Sequence, residues 1–201
     1  VSDVACERYG VDTVVIPNGV DLDTYRPGRT ATEPKLFLFI GRAIERKHLE
    51  LIIDLARLHP EYQFAIRSNG VEETNSTTIR STDNLRMVPR LSVSELAKLY
   101  AKSTATLCPF EREGFGMVVI ESMAAGTPVI GLNDGNLSNL LSDTEGGILC
   151  DTLEIDEWSN ALASVNADER AAAARKKATE YDWETIATNY ERIYSQVISG
   201  R

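Results

Sequence analysis

A segment near the middle of the chain, CPFEREGFGMVVIESMAAGTPVIG at residues 108–131, combines carboxylates and glycines in a way that suits a phosphorylated ligand. Gly114 and Gly116 precede an apolar run that predicts a helix, and the first amides of a helix have no partner within it. Those amides and the helix dipole attract anions, and glycine lets a ligand approach the backbone closely. Because isolated glycine motifs are weak signals, a plain strand-to-helix turn stays an alternative.

Glu121 strengthens the interpretation that this segment binds a ligand. The predicted helix around it is apolar on nearly every side, which indicates burial, and a buried carboxylate without partners is unfavourable. Glu121 lies five residues beyond Gly116, about 7 Å along a helix axis, which is close to the separation of the terminal phosphate and the ribose in a nucleoside diphosphate. Two explanations stay open: a basic partner inside the domain, or hydroxyl donors from a nucleotide.

Two cations follow another apolar run, LFLFIG at residues 36–41. Arg42 comes directly after it and Lys47 follows five residues later, at the start of a predicted helix. Arginine offers a planar pair of donors and lysine a compact charge, so together they suit a diphosphate. A solvated basic helix start is the alternative, but cations are unfavourable at that end of a helix dipole, and a bound anion would remove the conflict.

The rest of the sequence predicts the elements that must position these residues. Short apolar runs alternate with helical patterns. The predicted strands are TVVIP (13–17), LFLFIG (36–41), YQFAIR (62–67), LRMV (85–88), ATLCP (105–109), PVIG (128–131) and GILC (147–150). The predicted helices are 45–59, 94–103, 116–125, 153–165, 168–181 and 183–198, and a loose stretch is predicted at 68–84. Nearly continuous apolar runs are typical of parallel strands covered on both faces. The pattern predicts an α/β fold with a Rossmann-like doubly wound parallel sheet and a helical C-terminal tail, and such sheets bind ligands beyond the carboxyl ends of their strands.

Composition excludes several classes of function. The 201 residues carry a formal net charge of −9, which argues against a nucleic-acid partner. Cys6, Cys108 and Cys150 fit neither a disulfide framework nor a zinc site, and we interpret them as reduced thiols of a cytoplasmic protein. The acidic DLD at 21–23 reads as a solvated turn, so no metal is predicted. No apolar run reaches membrane-span length, and the opening VSDVACERYG, without an initial Met, suggests a fragment.

Several segments resemble the C-terminal half of GT-B glycosyltransferases, and most closely the retaining group often called family 4. The segments that carry the resemblance are NGVD (18–21), FIGRAIERK (39–47), NLRMVPRLSVSELAKLYAKS (84–103), PFEREGFGMVVIESMAAGTPVI (109–130) and WETIATNYERIY (183–194). The E-x7-E signature of that group matches Glu113 through Glu121, and its G-R-x4-K signature matches Gly41 through Lys47. Two spaced signatures in the expected order make the resemblance specific.

The resemblance implies a site for the nucleotide-diphosphate sugar, a UDP-, GDP- or ADP-sugar, that acts as donor. The implied catalytic residues are Arg42 and Lys47, which would grip the diphosphate, and Glu113, which would face the donor hexose. Glu121 would accept hydrogen bonds from the ribose, and the VPRL turn would meet the base. The implied nucleotide-sugar-binding residues are Gly41, Val88, Pro89, Arg90, Leu91, Gly114, Phe115, Gly116, Met117 and Glu121. No cofactor is implied beyond this donor substrate.

The same resemblance sets the expected domain organisation. Residues 1–182 would form the nucleotide-sugar-binding domain, with 1–17 as the end of an interdomain linker and the first strand, and 183–201 would form a C-terminal helix. The chain's partner would be its own N-terminal GT-B domain, which carries the acceptor site and is absent here. That absent half leaves open an attachment to the inner face of the membrane. Three departures from the family pattern, RSNG at 67–70, His48 and Asn139, affect the donor sugar and loop shape.

Other functions stay open at this point. A stand-alone nucleotide-binding module would need the same cleft but perform no chemistry, and one half of a GT-B nucleotide-sugar epimerase or phosphorylase would share the fold. A Rossmann dehydrogenase is excluded, because no G-x-G-x-x-G follows a predicted strand. The expected function is therefore donor binding in a glycosyltransferase that transfers a hexose to an acceptor, with the isolated chain inactive.

Overall fold

The computed structural model describes residues 2–10, 13–28, 35–69, 79 and 82–199. Within these residues, six parallel strands form one sheet with the order β3-β2-β1-β4-β5-β6. The strands are β1 Leu36–Arg42, β2 Gln63–Asn69, β3 Leu85–Met87, β4 Ala105–Cys108, β5 Val129–Leu132 and β6 Gly147–Cys150. The predicted Rossmann-like doubly wound parallel sheet is confirmed, and six of the predicted strands lie within two residues of their observed bounds.

Helices connect the strands and cover the sheet. They are α1 Ser2–Tyr9, α2 Leu49–Leu58, α3 Val93–Lys102, α4 Met117–Ala124, α5 Gly135–Leu141, α6 Ile155–Ser164, α7 Ala167–Ala178 and α8 Trp183–Ile198, with 3-10 turns at Glu45–Lys47 and Thr179–Tyr181. A capping box, predicted from the spacing of Ser92 and Glu95, begins α3: the Glu95 N–H donates to Ser92 Oγ at 3.3 Å, and the Ser92 N–H donates to Glu95 Oε2 at 2.8 Å. The chain therefore alternates strand and helix as its sequence predicts.

The strand order reverses direction at one place in the sheet. The chain passes from β1 outward to β2 and β3, then crosses back to place β4 on the other side of β1. Leu38 of β1 lies in register with Thr106 of β4, so both strands end near the same edge. In open parallel sheets a crevice forms at such a switch point, beyond the carboxyl ends of the strands. The loops that follow β1 and β4 are the two segments that the sequence marks as binding candidates.

The central strands are buried on both faces, as their continuous apolar sequences predict. Phe37, Leu38 and Phe39 of β1 are fully buried, and so is every residue of β4. The Phe37 and Phe64 rings pack with their centroids 5.6 Å apart, which joins β1 to β2. Each such large apolar side chain contributes about 1.5–3 kcal/mol when it leaves water. The rigid centre of the sheet therefore lies directly beneath the candidate site.

The prediction of a first strand at residues 13–17 is wrong. This segment forms no strand, and Val14 and Val15 are exposed. β-branched residues favour extended backbone, but a strand also needs a neighbour, and the nearest sheet-like pairing is a single bridge between Val20 and Asp182. The predicted division of the chain into a domain that ends at residue 182 and a helix that begins at residue 183 stays a prediction. The predicted loose stretch at 68–84 lies largely outside the described residues.

The predicted helix 45–59 is interrupted near its start. Glu45–Lys47 form a 3-10 turn, His48 adopts a left-handed backbone with φ 49°, and α2 begins only at Leu49. A left-handed residue cannot continue a right-handed helix, so it separates Lys47 from α2. His48 stands where the resembled family has glycine, the residue for which this conformation is least strained. The substitution therefore keeps a glycine-like backbone with a histidine side chain.

Candidate functional site

A cleft of about 290 Å³ opens at the carboxyl edge of the sheet, between the loops that follow β1 and β4. It is lined by Ile40, Gly41, Arg42, Arg46, Lys47, Phe110, Glu113, Phe115, Gly116, Met117 and Val118. These residues come from β1 and its following turn, from the loop after β4, and from the first turn of α4. The structure thus brings both predicted segments together around one cavity with three cations and one carboxylate.

A second cavity of about 280 Å³ adjoins the first. It is lined by Ile40, Gly41, Arg42, Arg67, Leu91 and Leu96. Ile40, Gly41 and Arg42 line both, so the two cavities flank the end of β1. Sites for small molecules typically have volumes of roughly 300–1,000 Å³, so each cavity is close to the lower end of that range.

Lys47 and Glu113, two predicted catalytic residues, form an ion pair inside the first cavity. Only 10% of the Lys47 side chain and 19% of the Glu113 side chain are exposed. The ammonium also lies 3.4 Å from the centroid of the Phe110 ring, within the range of a cation–π contact. Removing one partner of such a pair would leave the other charge poorly solvated. The pair joins the turn after β1 to the loop after β4.

Arg42 and Arg46 complete the group of cations, and sequence reasoning missed Arg46. Arg42 is exposed at the end of β1. Arg46 Nη1 donates to the carbonyl of Glu111 at 3.2 Å, while the N–H of Glu111 donates to the carbonyl of Arg46 at 3.0 Å. This reciprocal pair fastens the two loops to each other. The signal was present in GRAIERK, where a third cation stands beside the lysine, and Phe110 and Arg67 were missed as well.

The loop that carries Glu113 is braced from the side by the start of α5. The N–H of Arg112, whose φ is 51°, donates to Asp134 Oδ2 at 2.6 Å, and Asn136 N–H donates to the carbonyl of Glu113 at 3.1 Å. A side chain at Gly135 would place its Cβ only 2.9 Å from the amide nitrogen of Glu113, so glycine is required there. The sequence did not predict α5, although its first residues fix the backbone of a predicted catalytic residue.

The two glycines of the segment have different roles. Gly116 begins α4 with φ 96°, and a Cβ there would lie 3.0 Å from Leu140 Cδ1, so the fold itself requires glycine. Gly114 has no positive φ, and no atom lies within 4 Å of the position that its Cβ would take. Its lack of a side chain therefore leaves open space beside the loop. Packing explains Gly116 but does not explain Gly114.

Glu121 lies on α4 one turn beyond Met117 and Val118 but lines neither cavity. The hydroxyl of Tyr100 donates to its Oε2 at 3.0 Å, and the hydroxyl of Tyr25 also acts on the pKa of the same carboxylate. Burial raises the pKa of Glu121, while the two hydroxyls oppose that rise. Of the two explanations left open by the sequence, hydroxyl donors are present, but here they come from tyrosines of the chain itself.

The predicted base-contacting turn is brought only partly to the cleft. Leu91 lines the second cavity, whereas Pro89 and Arg90 are exposed and line neither cavity. The N–H of Val88 donates to the carbonyl of Ile66 at 2.7 Å. This bond extends the pairing of β3 with β2 and directs the N–H of Val88 toward the sheet. The predicted contacts of Val88, Pro89 and Arg90 with a base are therefore not visible in this arrangement and stay predictions.

The acidic turn at 21–23 is engaged in local bonds. Asp21 Oδ1 accepts the N–H groups of Asp23 and Thr24 at 2.9 and 3.0 Å, and Asp23 pairs with Arg26 at 2.6 Å. In the described part of the chain, no three His, Cys, Asp or Glu residues are grouped as metal ligands would be. Among the described helices, none is both long and apolar enough to cross a membrane.

The geometry can be compared with known proteins. The family model described as glycosyl transferases group 1 matches residues 23–182, which include both cation-bearing and glutamate-bearing segments. The chain belongs to this family. The resemblance to GT-B glycosyltransferases, stated above from the two signatures, is thereby confirmed. The matched range contains all six described strands.

Individual relatives agree with this assignment. A D-inositol 3-phosphate glycosyltransferase from Geodermatophilus obscurus is 29% identical over 94% of this chain, and a glycogen synthase from Mycobacterium tuberculosis is 29% identical over 96%. The sucrose-phosphate synthase structure from Thermosynechococcus elongatus superposes with a TM-score of 0.84 at 23% identity, over 99% of this chain and 57% of its own, and shows the shared fold. The chain covers 49% and 51% of the two relatives, about half of their length.

Proposed function

We propose that this chain binds the nucleotide-diphosphate sugar from which a retaining glycosyltransferase transfers a hexose. The observation that carries the proposal is the meeting of Arg42, Lys47 and the first turn of α4 in one cleft at the carboxyl edge of the sheet. A helix N-terminus and two cations all favour an anion, and a diphosphate carries two adjacent charges to match them. The donor is consumed as a substrate and is not a cofactor.

The cations also suit the chemistry of the transfer. When the bond between sugar and diphosphate breaks, the departing diphosphate gains negative charge, and fixed cations stabilise it most at that moment. Lys47 is held by the loop geometry described above, so little reorganisation is needed. Arg42 is exposed and free to wrap the phosphates from the open side of the cleft. The open space beside Gly114 would admit the sugar and diphosphate close to the backbone.

The two glutamates would contact different parts of the donor. The diphosphate would compete with Glu113 for Lys47, and Glu113 would then be released to face the hexose. Glu121 would accept hydroxyl groups of the ribose, farther along α4. The base would lie in the second cavity beside Leu91 and Leu96, with Arg67 at its edge. The contacts of Glu113, Leu91 and Leu96 would lie in the two cavities, whereas the ribose contact of Glu121 would lie outside both.

The acceptor site would belong to another part of the complete enzyme. The two relatives above are named for D-inositol 3-phosphate and for glycogen, which are chemically different molecules, yet each is 29% identical to this chain. What they share with it is therefore better explained by the donor than by the acceptor. Because family and relatives are transferases, a stand-alone binding module and an epimerase half are not favoured.

Calorimetric titration of the chain with UDP, GDP and ADP tests the proposal. We expect at least one of them to bind, and we expect no sugar transfer by the chain alone, since transfer needs donor and acceptor held together. The matched control is the Arg42→Ala variant, which should bind the same nucleotide more weakly without a change in melting temperature. Failure of all three nucleotides to bind at millimolar concentration would refute the proposal.

A further inference from the structure

Two tyrosines from distant parts of the sequence enclose the carboxylate of Glu121. Tyr100 on α3 is fully buried, and its hydroxyl donates to Glu121 Oε2 at 3.0 Å. Tyr25 lies in the segment before β1 and is 6% exposed, and its hydroxyl opposes the rise in the pKa of Glu121. The two rings pack edge to face with their centroids 6.0 Å apart. Neither tyrosine stands in a position that the two sequence signatures mark.

These tyrosines replace the cation that a buried carboxylate usually requires. In the described part of the chain, no lysine, arginine or histidine forms an ion pair with Glu121. Burial together with the nearby Glu121 raises the pKa of Tyr25 and of Tyr100, so both hydroxyls stay protonated at neutral pH and act as donors. Hydrogen bonds to a charged group are stronger than those between neutral groups, so the carboxylate is held in one orientation.

The tyrosines leave part of the carboxylate unsatisfied. An ionised carboxylate offers about four acceptor positions on its two oxygens. Tyr100 takes one of these positions and Tyr25 accounts for at most one more, which leaves at least two positions for other groups. The 2′ and 3′ hydroxyls of a ribose are two adjacent donors and match that number. Glu121 is only partly buried, and neither of its oxygens is among the buried side-chain atoms that lack a partner, so the remaining positions are open to water or to a ligand.

Other contacts fix the positions of the two tyrosines relative to α4. The guanidinium of Arg175 on α7 donates to the carbonyl oxygens of Tyr25 and Ala124, and to that of Leu22 at 3.0 Å. Ala124 is the last residue of α4, so the backbone of Tyr25 is tied to the helix that bears Glu121. The hydroxyl of Thr127 donates to the carbonyl of Tyr100 at 2.6 Å, just beyond the same helix end.

We propose that Tyr25 and Tyr100 are positioning residues that orient Glu121 toward the ribose of the donor nucleotide. The inference rests on the proposed function, because it assumes that a nucleotide occupies the cleft. The inference adds two residues to the proposed site. The tyrosines occupy some of the acceptor positions of the carboxylate, and the remaining positions accept hydroxyl groups of the ligand. Phenylalanine at either position keeps the ring and removes only the donor.

The test compares Tyr25→Phe and Tyr100→Phe with Tyr62→Phe as a matched control. Tyr62 is a partly buried tyrosine that packs on Phe37 and His59 at the start of β2, the opposite edge of the sheet. Each protein is titrated calorimetrically with whichever of UDP, GDP or ADP binds wild type, and with its 2′,3′-dideoxy form. We expect Tyr25→Phe and Tyr100→Phe to weaken ribonucleotide binding about three- to tenfold and leave dideoxynucleotide binding unchanged. Tyr62→Phe should change neither.

A pH profile gives a second readout that a purely structural role would not alter. The carboxylate must be ionised to accept two hydroxyls, so ribonucleotide affinity should fall as the pH falls through the raised pKa of Glu121. Loss of either tyrosine hydroxyl should move that midpoint to higher pH. Of the other titratable groups that act on the two tyrosines, the Cys108 thiol has a raised pKa and Asp21 has a lowered pKa, so neither titrates together with Glu121. The dideoxynucleotide carries the same phosphates, so subtracting its pH profile removes the contribution of phosphate titration.

The outcomes separate this inference from the proposed function. If wild type binds none of the three nucleotides, the proposed function fails and the inference fails with it. If wild type binds ribonucleotide and dideoxynucleotide equally well, the nucleotide site stands but Glu121 does not contact the ribose, and the inference is overturned. Equal losses for both ligands in the Phe variants, or no loss, would also overturn it. Thermal melts identify any variant that is destabilised. If Tyr100→Phe is destabilised, the binding data for Tyr25→Phe test the inference.

Discussion

Glu113 and Glu121 are eight residues apart in one segment, yet the loop before α4 and the helix itself give their carboxylates different kinds of partner. In the loop, Glu113 pairs with Lys47 at the wall of the cleft. In the helix, Glu121 accepts a hydrogen bond from the Tyr100 hydroxyl, the Tyr25 hydroxyl also lowers its pKa, and no cation among the described residues forms an ion pair with it. An ion pair can exchange one anion for another, whereas a carboxylate held by neutral donors keeps its orientation when a ligand arrives.

The difference suggests how one segment serves two parts of a ligand. On the proposed function, the phosphate of the donor would replace Glu113 beside Lys47, because it is the stronger anion of the two. The helix offers a preorganised acceptor, which reduces the cost of ordering on binding. If this comparison is right, substitutions in the loop should act on turnover, and substitutions in the helix should act on nucleotide affinity.

The largest effect is expected for Lys47→Ala in the complete enzyme. Turnover should fall on the order of 10²–10³-fold, because a fixed cation is lost where charge develops in the transition state, while KM should change less. Glu113 would also lose its partner, and the variant should unfold about 3 kcal/mol more easily, at the lower end for a buried pair because Glu113 is partly exposed. Steady-state kinetics and denaturant titration measure the two effects.

The control for Lys47→Ala is Lys98→Ala, which removes an exposed lysine from α3 and should alter neither quantity. Arg42→Ala should lower turnover as Lys47→Ala does, but without the loss of stability, because Arg42 is exposed. A change in Lys47→Ala that is confined to KM would show uniform binding of substrate and transition state, and would contradict a role in departure of the diphosphate.

The next largest effect is expected for Glu121→Gln. The amide keeps the shape of the side chain but offers one acceptor oxygen instead of two. Hydrogen bonds to charged groups contribute roughly 1.5–3 kcal/mol, so nucleotide affinity should fall about ten- to a hundredfold, while a 2′,3′-dideoxynucleotide should bind wild type and variant alike. Calorimetry and thermal melts on the same samples measure both properties. A destabilised variant with unchanged nucleotide affinity would mean that Glu121 is purely structural.

How much of this structure the sequence predicts depends on how far apart in the chain the interacting residues lie. The sheet was predictable because β1 and β4 are continuous apolar runs whose burial is decided locally. The segment at 13–17 is also a short apolar run but forms no strand, and pairing with a neighbouring strand is not visible in a local pattern. The short helix α5 was missed because Gly135 and Asn136 favour turns, and its contacts with Glu113 form only in the folded chain.

The candidate site could likewise be predicted only where its residues belong to local sequence patterns. Arg42, Lys47 and Glu113 could be predicted as members of spaced signatures, and the structure brings them into one cleft. The tyrosine pair around Glu121 joins positions 25 and 100, and the Arg46–Glu111 pair joins two separate loops. Such partners are determined by the strand order and not by spacing along the chain. The sequence left open a basic partner or hydroxyl donors from a nucleotide for Glu121, and it did not predict a hydroxyl donor from the chain itself.

A smaller effect should separate the two glycines of the segment. Gly116→Ala forces a side chain into φ 96° and against Leu140, and should destabilise the fold by about 1–2 kcal/mol. Gly114→Ala meets no protein atom within 4 Å, so stability should be unchanged and binding of the nucleotide sugar should weaken. Thermal melts and titrations of both variants measure this difference. Destabilisation by Gly114→Ala would mean that the open space beside it serves the fold and not a ligand.

The smallest effect is expected for Glu113→Gln. It gives the most direct test of the difference between Glu113 and Glu121. The substitution keeps a hydrogen-bond acceptor beside Lys47 but removes the negative charge that competes with a phosphate. Affinity for the bare nucleoside diphosphate should therefore rise, about two- to fivefold for a partly exposed pair, while turnover in the complete enzyme falls because the hexose loses its carboxylate. Calorimetry with the same nucleotide at two salt concentrations measures the first change, and the rise should shrink at high salt because ionic screening weakens the attraction. Glu121→Gln shifts nucleotide affinity in the opposite direction. If both substitutions weakened nucleotide binding equally, the two carboxylates would share one role, and the distinction between an exchangeable ion pair and a preorganised acceptor would have to be abandoned.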